Sequence, residues 1–254
     1  MNEITPSSRD QVAQKIIRKP SQTDEAVDLI RSKIIDLTLP QGSRIDERML
    51  VEQFKLGRTP AREAINRLQA EGLVTIIPDR GGKFVRDLDL QEVGEIMMAH
   101  QVAETMLASL CNFSSARLLA DLQRIQDAYE EAVKARNYLL ITELNERFHL
   151  RLYETINNSF LMDFAQSTHR HVRRLLVMMY KLEAGMPSVH DEQFDANIEQ
   201  HRAIIHSVKM KDQDALKGQL PNHALQTQFR LSAFYESNSG RATGVDFSGL
   251  NREN

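Results

Sequence analysis

The chain has a single cysteine, Cys111, among 254 residues, which excludes an intramolecular disulfide framework and fits a reducing compartment. Cys111 lies in an apolar stretch of helical pattern and reads as a small buried side chain rather than a nucleophile. No apolar run approaches the ~20 residues of a membrane-spanning helix; the longest are short pieces such as Leu175 to Tyr180. The segment Met1 to Pro20 is polar with mixed charge and lacks the apolar core of a signal peptide. These absences predict a soluble, cytoplasmic protein with no membrane partner. Enzyme signatures are missing too. Gly81-Gly82-Lys83 lacks the preceding glycine and the following Ser or Thr of a phosphate-binding loop, and there is no His-Glu-x-x-His helix or Gly-x-Ser-x-Gly turn. Neither a solenoid-type repeat nor a long heptad run is present.

What is present begins with Gly57-Arg58-Thr59-Pro60-Ala61-Arg62-Glu63-Ala64-Ile65-Asn66-Arg67-Leu68. Thr59 reads as an N-cap and Pro60 as a first-turn residue, with Ile65 and Leu68 facing inward and Arg58 and Arg62 left near the outward end. A second helical pattern, Glu47 to Phe54, precedes it, and only Lys55-Leu56-Gly57 lies between them. Two helices joined this tightly predict a helix-turn-helix. Leu73-Val74-Thr75-Ile76-Ile77 and Lys83-Phe84-Val85-Arg86, flanking Pro78-Asp79-Arg80-Gly81-Gly82, predict a β-hairpin with a basic tip, the wing of a winged helix-turn-helix. The net charge of −3 conceals an asymmetry. Residues 1–86 carry 15 Lys+Arg against 12 Asp+Glu, a net +3, and residues 87–254 carry 17 against 23, a net −6. A basic front and an acidic back suit a DNA-reading domain attached to a regulatory one.

Beyond Asp87-Leu88-Asp89 strand signals vanish, and helices are expected at about 90–111, 115–135, 138–156, 160–183, 192–210 and 213–235. The breaks fall at Asn112 and Ser114, Asn157-Asn158-Ser159 and Gly185-Met186-Pro187-Ser188. The predicted fold class is therefore mainly α. The organisation is a flexible arm over 1–20, a winged helix-turn-helix over 21–86, an all-helical effector and dimerisation domain over 87–236 and a disordered tail over 237–254. Eight histidines punctuate the chain: His100, His149, His169, His171, His190, His201, His206 and His223. Asn145 and His149, four apart, share a helical face, and His201 and His223 supply imidazoles on two later helices.

The run through Leu39-Pro40-Gln41-Gly42, Asp46-Glu47-Arg48, Arg58-Thr59-Pro60-Ala61-Arg62-Glu63-Ala64, Arg67-Leu68, Glu71-Gly72-Leu73-Val74 and Pro78-Asp79-Arg80-Gly81-Gly82 resembles the winged helix-turn-helix of GntR-type bacterial transcription regulators. That resemblance implies that Arg48, Arg58, Thr59, Arg62 and Gly81 touch DNA. Gly57 departs from the pattern, which usually has Ser or Thr there. Further on, Asn145-Glu146-Arg147-Phe148-His149, Glu199-Gln200-His201-Arg202-Ala203-Ile204 and Asn222-His223-Ala224-Leu225 resemble the ligand-binding FCD domain of the FadR-type branch. By that resemblance Asn145, His149, His201 and His223 would bind a divalent metal, zinc or alternatively nickel, with affinity falling as pH drops through the ordinary histidine range. Asn145 stands where an aspartate is common, so its carbonyl is a weak ligand or yields the position to water. His100, four before Glu104, stands where an arginine often helps to bind an organic acid. Arg147, Arg151, Arg170, Arg173 and Arg174 remain as anion partners.

The expected function is a DNA-binding transcription regulator, a repressor acting as a homodimer on double-stranded operator DNA and controlled by a small effector such as a carboxylate. The alternative from another class is a metal-dependent hydrolase using the three-histidine site. It needs a general base, and the helical phase of Glu146 and Glu199 puts neither on the face of His149 or His201. A purely structural helical adaptor is disfavoured by the arginine-bearing winged motif.

Overall fold

The computed structural model describes residues 20–182 and 187–238, with side chains over 20–182 and 191–231. The expected arm, except Pro20, and the expected tail beyond Asn238 lie outside the described residues, as does the side chain of His190. The chain divides into two compact units. Among the described residues, one contains Pro20–Ser32 together with Arg44–Phe84, and the other contains Lys33–Ser43 with those from Val85 onward.

In the first unit, α1 (Gln22–Ile35, whose last turn belongs to the other unit), α2 (Glu47–Phe54) and α3 (Arg58–Ala70) accompany a three-stranded sheet of β1 (Arg44–Ile45), β2 (Val74–Ile76) and β3 (Lys83–Val85), ordered β1-β3-β2. β1 pairs antiparallel with β3, Arg44 opposite Phe84 and Ile45 opposite Lys83. The expected hairpin is therefore present, closed on one side by a strand too short to carry a periodic signal. Ala26, Ile30, Leu50, Ala61, Ala64, Ile65 and Leu68 are buried, which gives the three helices their inward faces. Polar ties hold α1 to α3: Arg31 Nη2 to Glu71 at 2.6 Å, Thr23 to Glu63 at 2.7 Å and Arg67 to Asp24 at 2.7 Å.

The caps differ from expectation in one respect. Asp46 caps α2 by accepting from the Met49 N–H at 2.9 Å. The N-cap of α3 is Gly57, however, so Thr59 lies inside the first turn and caps nothing. Gly57 has φ −68 and ψ 151, ordinary extended backbone, while the left-handed residue of the turn is Lys55 at φ 57. Helix entry two residues earlier places Arg58 at the first helical position.

The second unit contains α4 (Leu90–Leu110), α5 (Leu118–Lys134), α6 (Tyr138–Tyr153), α7 (Ser159–Leu182), α8 (Pro187–Met210) and α9 (Gln213–Asn238). Their principal contacts close a ring, α4 to α9, α9 to α8, α8 to α5, α5 to α6, α6 to α7 and α7 back to α4. α8 begins earlier than expected, at Pro187, a residue favoured in a first helical turn. α9 runs on to Asn238 and contains Pro221, whose carbonyl accepts from Gln101 at 3.2 Å. Two apolar clusters fill the ring. One includes Tyr129, Ile141, Leu175, Met179 and Leu231, and the other Leu107, Leu122, Phe148, Leu152, Ile204 and Leu220. Cys111 is buried at the end of α4, and burial pushes its thiol pKa up, against a nucleophilic role. No helix among the described residues is long and apolar enough to cross a membrane.

Leu107 is fully buried among these side chains. Leu107→Ala is expected to cost about 2–5 kcal/mol through lost burial and a residual cavity, read as a lower denaturant midpoint with an unchanged slope in urea unfolding.

Candidate DNA-reading face and buried metal centre

The first unit presents its cations outward. Arg58, Thr59 and Arg62 are exposed on the opening turns of α3, and Arg48 is exposed on α2, where it pairs with Glu52 at 2.8 Å. An exposed pair four residues apart on a helix is worth only about 0.3–0.5 kcal/mol, so Arg48 is readily released to a phosphate. Gly81 is exposed at the wing tip with φ 56, a left-handed conformation that favours glycine, after a 3-10 turn at Pro78–Arg80. Lys83 is tethered to Asn66 on α3, which leaves Arg80 as the exposed cation of the tip.

The second unit has the opposite character, with its chemistry inside. His149 on α6, His201 on α8 and His223 on α9 are 0%, 0% and 3% exposed, and each can offer a ligand atom within 4.8 Å of the other two. Three acceptors orient them. Glu104 Oε2 lies 2.8 Å from His149 Nδ1, Gln126 Oε1 lies 2.9 Å from His201 Nδ1, and Gln200 Oε1 lies 2.6 Å from His223 Nδ1. In a neutral imidazole an acceptor at Nδ1 holds the proton there and leaves Nε2 as the lone pair, which is how metal-ligating histidines are commonly oriented. Nε2 of His149 and of His201 has no hydrogen-bond partner, and neither does the buried Oδ1 of Asn145. Metal–nitrogen bonds of about 2.0–2.1 Å require a slightly tighter set than this, reached by small side-chain shifts. The donor set fits a first-row divalent ion.

Burial also sets the protonation states. It pushes His201 well below the usual histidine range and His223 down to about 3. Burial thus disfavours the protonated form of these two imidazoles. Burial alone would raise the Glu104 pKa. The facing imidazoles of His149 and His169 overcome that and hold it well below the usual carboxylate range.

Beside His223 lies a cavity of about 110 Å³, also lined by Tyr129, Asn145, Tyr180, Asn197 and Arg230. Arg147, Arg151, Arg170, Arg173 and Arg174 do not line it. Arg147 is exposed, Arg151 pairs with Asp121 and Glu154, Arg173 pairs with Glu143 and Glu146, and buried Arg174 donates to the Arg86 carbonyl. The cation at this cavity is Arg230, set 4.8 Å above the Tyr180 ring. Sequence reading passed over it, although it lies two helical turns beyond His223 on the same face of α9.

Fold and site together define a class of protein, a winged helix-turn-helix whose chain continues into a helical unit with a buried cluster of histidines. Residues 22–85 match the bacterial regulatory proteins of the gntR family, and residues 95–226, more than half of the chain, match the FCD domain. The chain belongs to the GntR family and carries an FCD domain. It is 22% identical over 218 residues to the gluconate operon transcriptional repressor of Bacillus licheniformis, covering 85% of this chain and 88% of that protein. It is 20% identical over 225 residues to the transcriptional repressor RspR of Escherichia coli K12, covering 83% and 89%. Among solved structures, McbR/YncC of E. coli aligns with a TM-score of 0.73 at 22% identity, over 85% of this chain and all of that one. The chain is thus a DNA-binding transcription regulator with an effector-binding domain, and not an enzyme. The hydrolase alternative finds no support in these relatives, and in the structure Glu146 is engaged by Arg173 while Glu199 is exposed.

Folded-state pKa values depressed at His201, His223 and Glu104 make the unfolded chain the better proton binder in acid. Stability of metal-free protein should be full above the unfolded histidine pKa near 6.5 and fall as pH is lowered through 5 and 4. His223→Gln should remove its share, about 1–3 kcal/mol of that decline. Urea unfolding of chelator-treated protein from pH 7 to pH 4 measures both slopes, and equal slopes would contradict the assignment.

Proposed function

We propose that the protein is a homodimeric repressor. Its operator affinity is set by a small carboxylate effector bound beside a divalent metal, zinc or nickel, held by His149, His201, His223 and the Asn145 carbonyl or a water. Residues 21–86 would read DNA, and residues 87–236 would bind effector and dimerise. The observation that carries this is the trio of buried imidazoles, each with Nδ1 occupied and two of them, His149 and His201, with Nε2 unpartnered, next to a cavity containing a guanidinium. Three neutral nitrogens on an ion leave positions open for an effector oxygen. Arg230 would take the other end of an anion, and the amides of Asn145, Asn197 and Gln200 suit hydroxyl groups on the same ligand. A gluconate operon repressor among the relatives points in the same direction. The metal's role here is charge and orientation, tying α6, α8 and α9 together. A ligand preferring one conformation would shift the population of DNA-competent dimers.

At the other end of the chain, Arg48, Arg58, Thr59, Arg62 and Gly81 would contact DNA, in keeping with their exposure. One short recognition helix reads too few bases for genomic selectivity, which favours a two-fold dimer on a near-palindromic operator in the cytoplasm. Arg62→Ala should weaken operator binding by about 1–3 kcal/mol if that side chain reads a base, in titrations at fixed salt. Unchanged affinity in both Arg58→Ala and Arg62→Ala would refute the interface. Elemental analysis should find metal in wild type and at least one equivalent less per chain in a His149→Ala, His201→Ala double variant. Metal-free wild type that takes up none on titration would remove the cofactor from the proposal. Light scattering reporting a monomer would remove the dimer.

A further inference from the structure

A second group of polar side chains sits in the interior of the helical ring, and apart from the Glu104 oxygen that accepts from His149 the effector site just proposed makes no use of it. His100 and Glu104 lie one turn apart on α4, and His169 faces them from α7. All three are buried, at 3%, 0% and 1% exposure, and each can offer one ligand atom within 4.8 Å of the other two.

The hydrogen bonding at this cluster is incomplete. Glu104 Oε2 is committed to His149 Nδ1, while Oε1 sits 3.0 Å from His169 Nε2. That second approach is a close charge contact, yet Glu104 Oε1 and His169 Nε2 both lack a hydrogen-bond partner. His100 Nδ1 lacks one as well. The His100 and His169 rings meet edge to face with centroids 5.3 Å apart. A buried polar atom without a partner is costly, and natural interiors rarely tolerate several in one place. Here there are three, one on each residue of a single cluster, and all three carry lone pairs that a cation accepts.

We infer that His100, Glu104 and His169 form a second divalent-cation site, distinct from the His149, His201 and His223 set. Two imidazoles and one carboxylate make a donor set suited to Zn²⁺, Co²⁺ or Fe²⁺ rather than to Ca²⁺ or Mg²⁺, which prefer oxygen ligands. Three protein ligands leave at least one position for water. Glu104 joins the two sites, with one oxygen on the second ion and the other accepting from a ligand of the first. Occupying the second site draws electron density from the oxygen that supports His149, and the two dications share one carboxylate. The second equivalent of metal therefore binds more weakly than the first.

The test uses the full chain, stripped with chelator and equilibrated with Zn²⁺ or Co²⁺ at neutral pH, with metal per chain measured by elemental analysis. Circular dichroism verifies that each variant is folded. Wild type should hold two ions per chain, and His100→Gln, His169→Gln and His201→Gln one each. A single ion in wild type that survives His100→Gln overturns the second site and leaves the first standing. A single ion lost in His100→Gln but kept in His201→Gln supports the second site and removes the first. A single ion lost in both overturns the second site as a separate one, and no uptake overturns it outright. Should the variants fail to fold, anomalous scattering at the zinc edge from wild-type crystals decides the matter. A peak enclosed by His100, Glu104 and His169 supports the site, and its absence there overturns it.

Discussion

The interior of the helical ring is polar, and the cost of burying that polarity is the constraint on which the second unit depends. Every helix of the ring contributes to it: His100 and Glu104 from α4, Gln126 from α5, His149 from α6, His169 from α7, His201 from α8 and His223 from α9. Burying such groups costs several kcal/mol unless each finds a partner. The partners come from across the ring, Glu104 for His149 and Gln126 for His201. A helix displaced by a few ångströms would break at least one of these pairs. The polar centre therefore specifies how the helices are registered against one another, which nondirectional apolar packing does less strictly.

The same arrangement accounts for the division of labour between the units. Around the polar centre lie aromatic and aliphatic walls, with the His201 ring stacked on Phe148 at 4.1 Å between centroids. Burial among them pushes the pKa values of His100, His201 and His223 down, and a low-dielectric surrounding strengthens any charge that enters. In the first unit the opposite holds. Arg48, Arg58 and Arg62 are exposed, where a charge costs little; binding of DNA phosphates by such a surface is driven largely by counterion release and therefore depends on salt. DNA suits such a wet cationic surface.

Much of this was legible in the chain itself. The helix-turn-helix followed from the inward spacing of Ile65 and Leu68 and the short link at Lys55 to Gly57, and the wing from two β-rich runs around Pro78 to Gly82. Helix boundaries in the second unit came close because Asn, Ser and Pro punctuate it. The elements that escaped were those with little pattern of their own. Two-residue β1 has no period to detect and exists because β3 offers it an edge. α1 has only a modest apolar face and is held by ion pairs to α3 from residues 40 or more positions away. The cap of α3 was misjudged because Thr59 and Gly57 are both acceptable N-caps, and the choice fell to the backbone leaving Lys55 in a left-handed conformation.

The sequence by itself determined which segments are helical, which side chains carry charge and which histidines stand at helical spacing, because those properties depend on residue type and on neighbours within a turn or two. It also pointed to Asn145, His149, His201 and His223 through a family resemblance. Only the tertiary structure decided that Glu104 stands between His149 and His169, that Gln126 and Gln200 fix the other two imidazoles, and that Arg230 rather than an arginine of α6 or α7 reaches the cavity. These relations join residues on different helices, so no local pattern encodes them. Protonation belongs with them, because an imidazole's pKa is set by the water it loses and the charges it faces, and both are fixed when the ring closes.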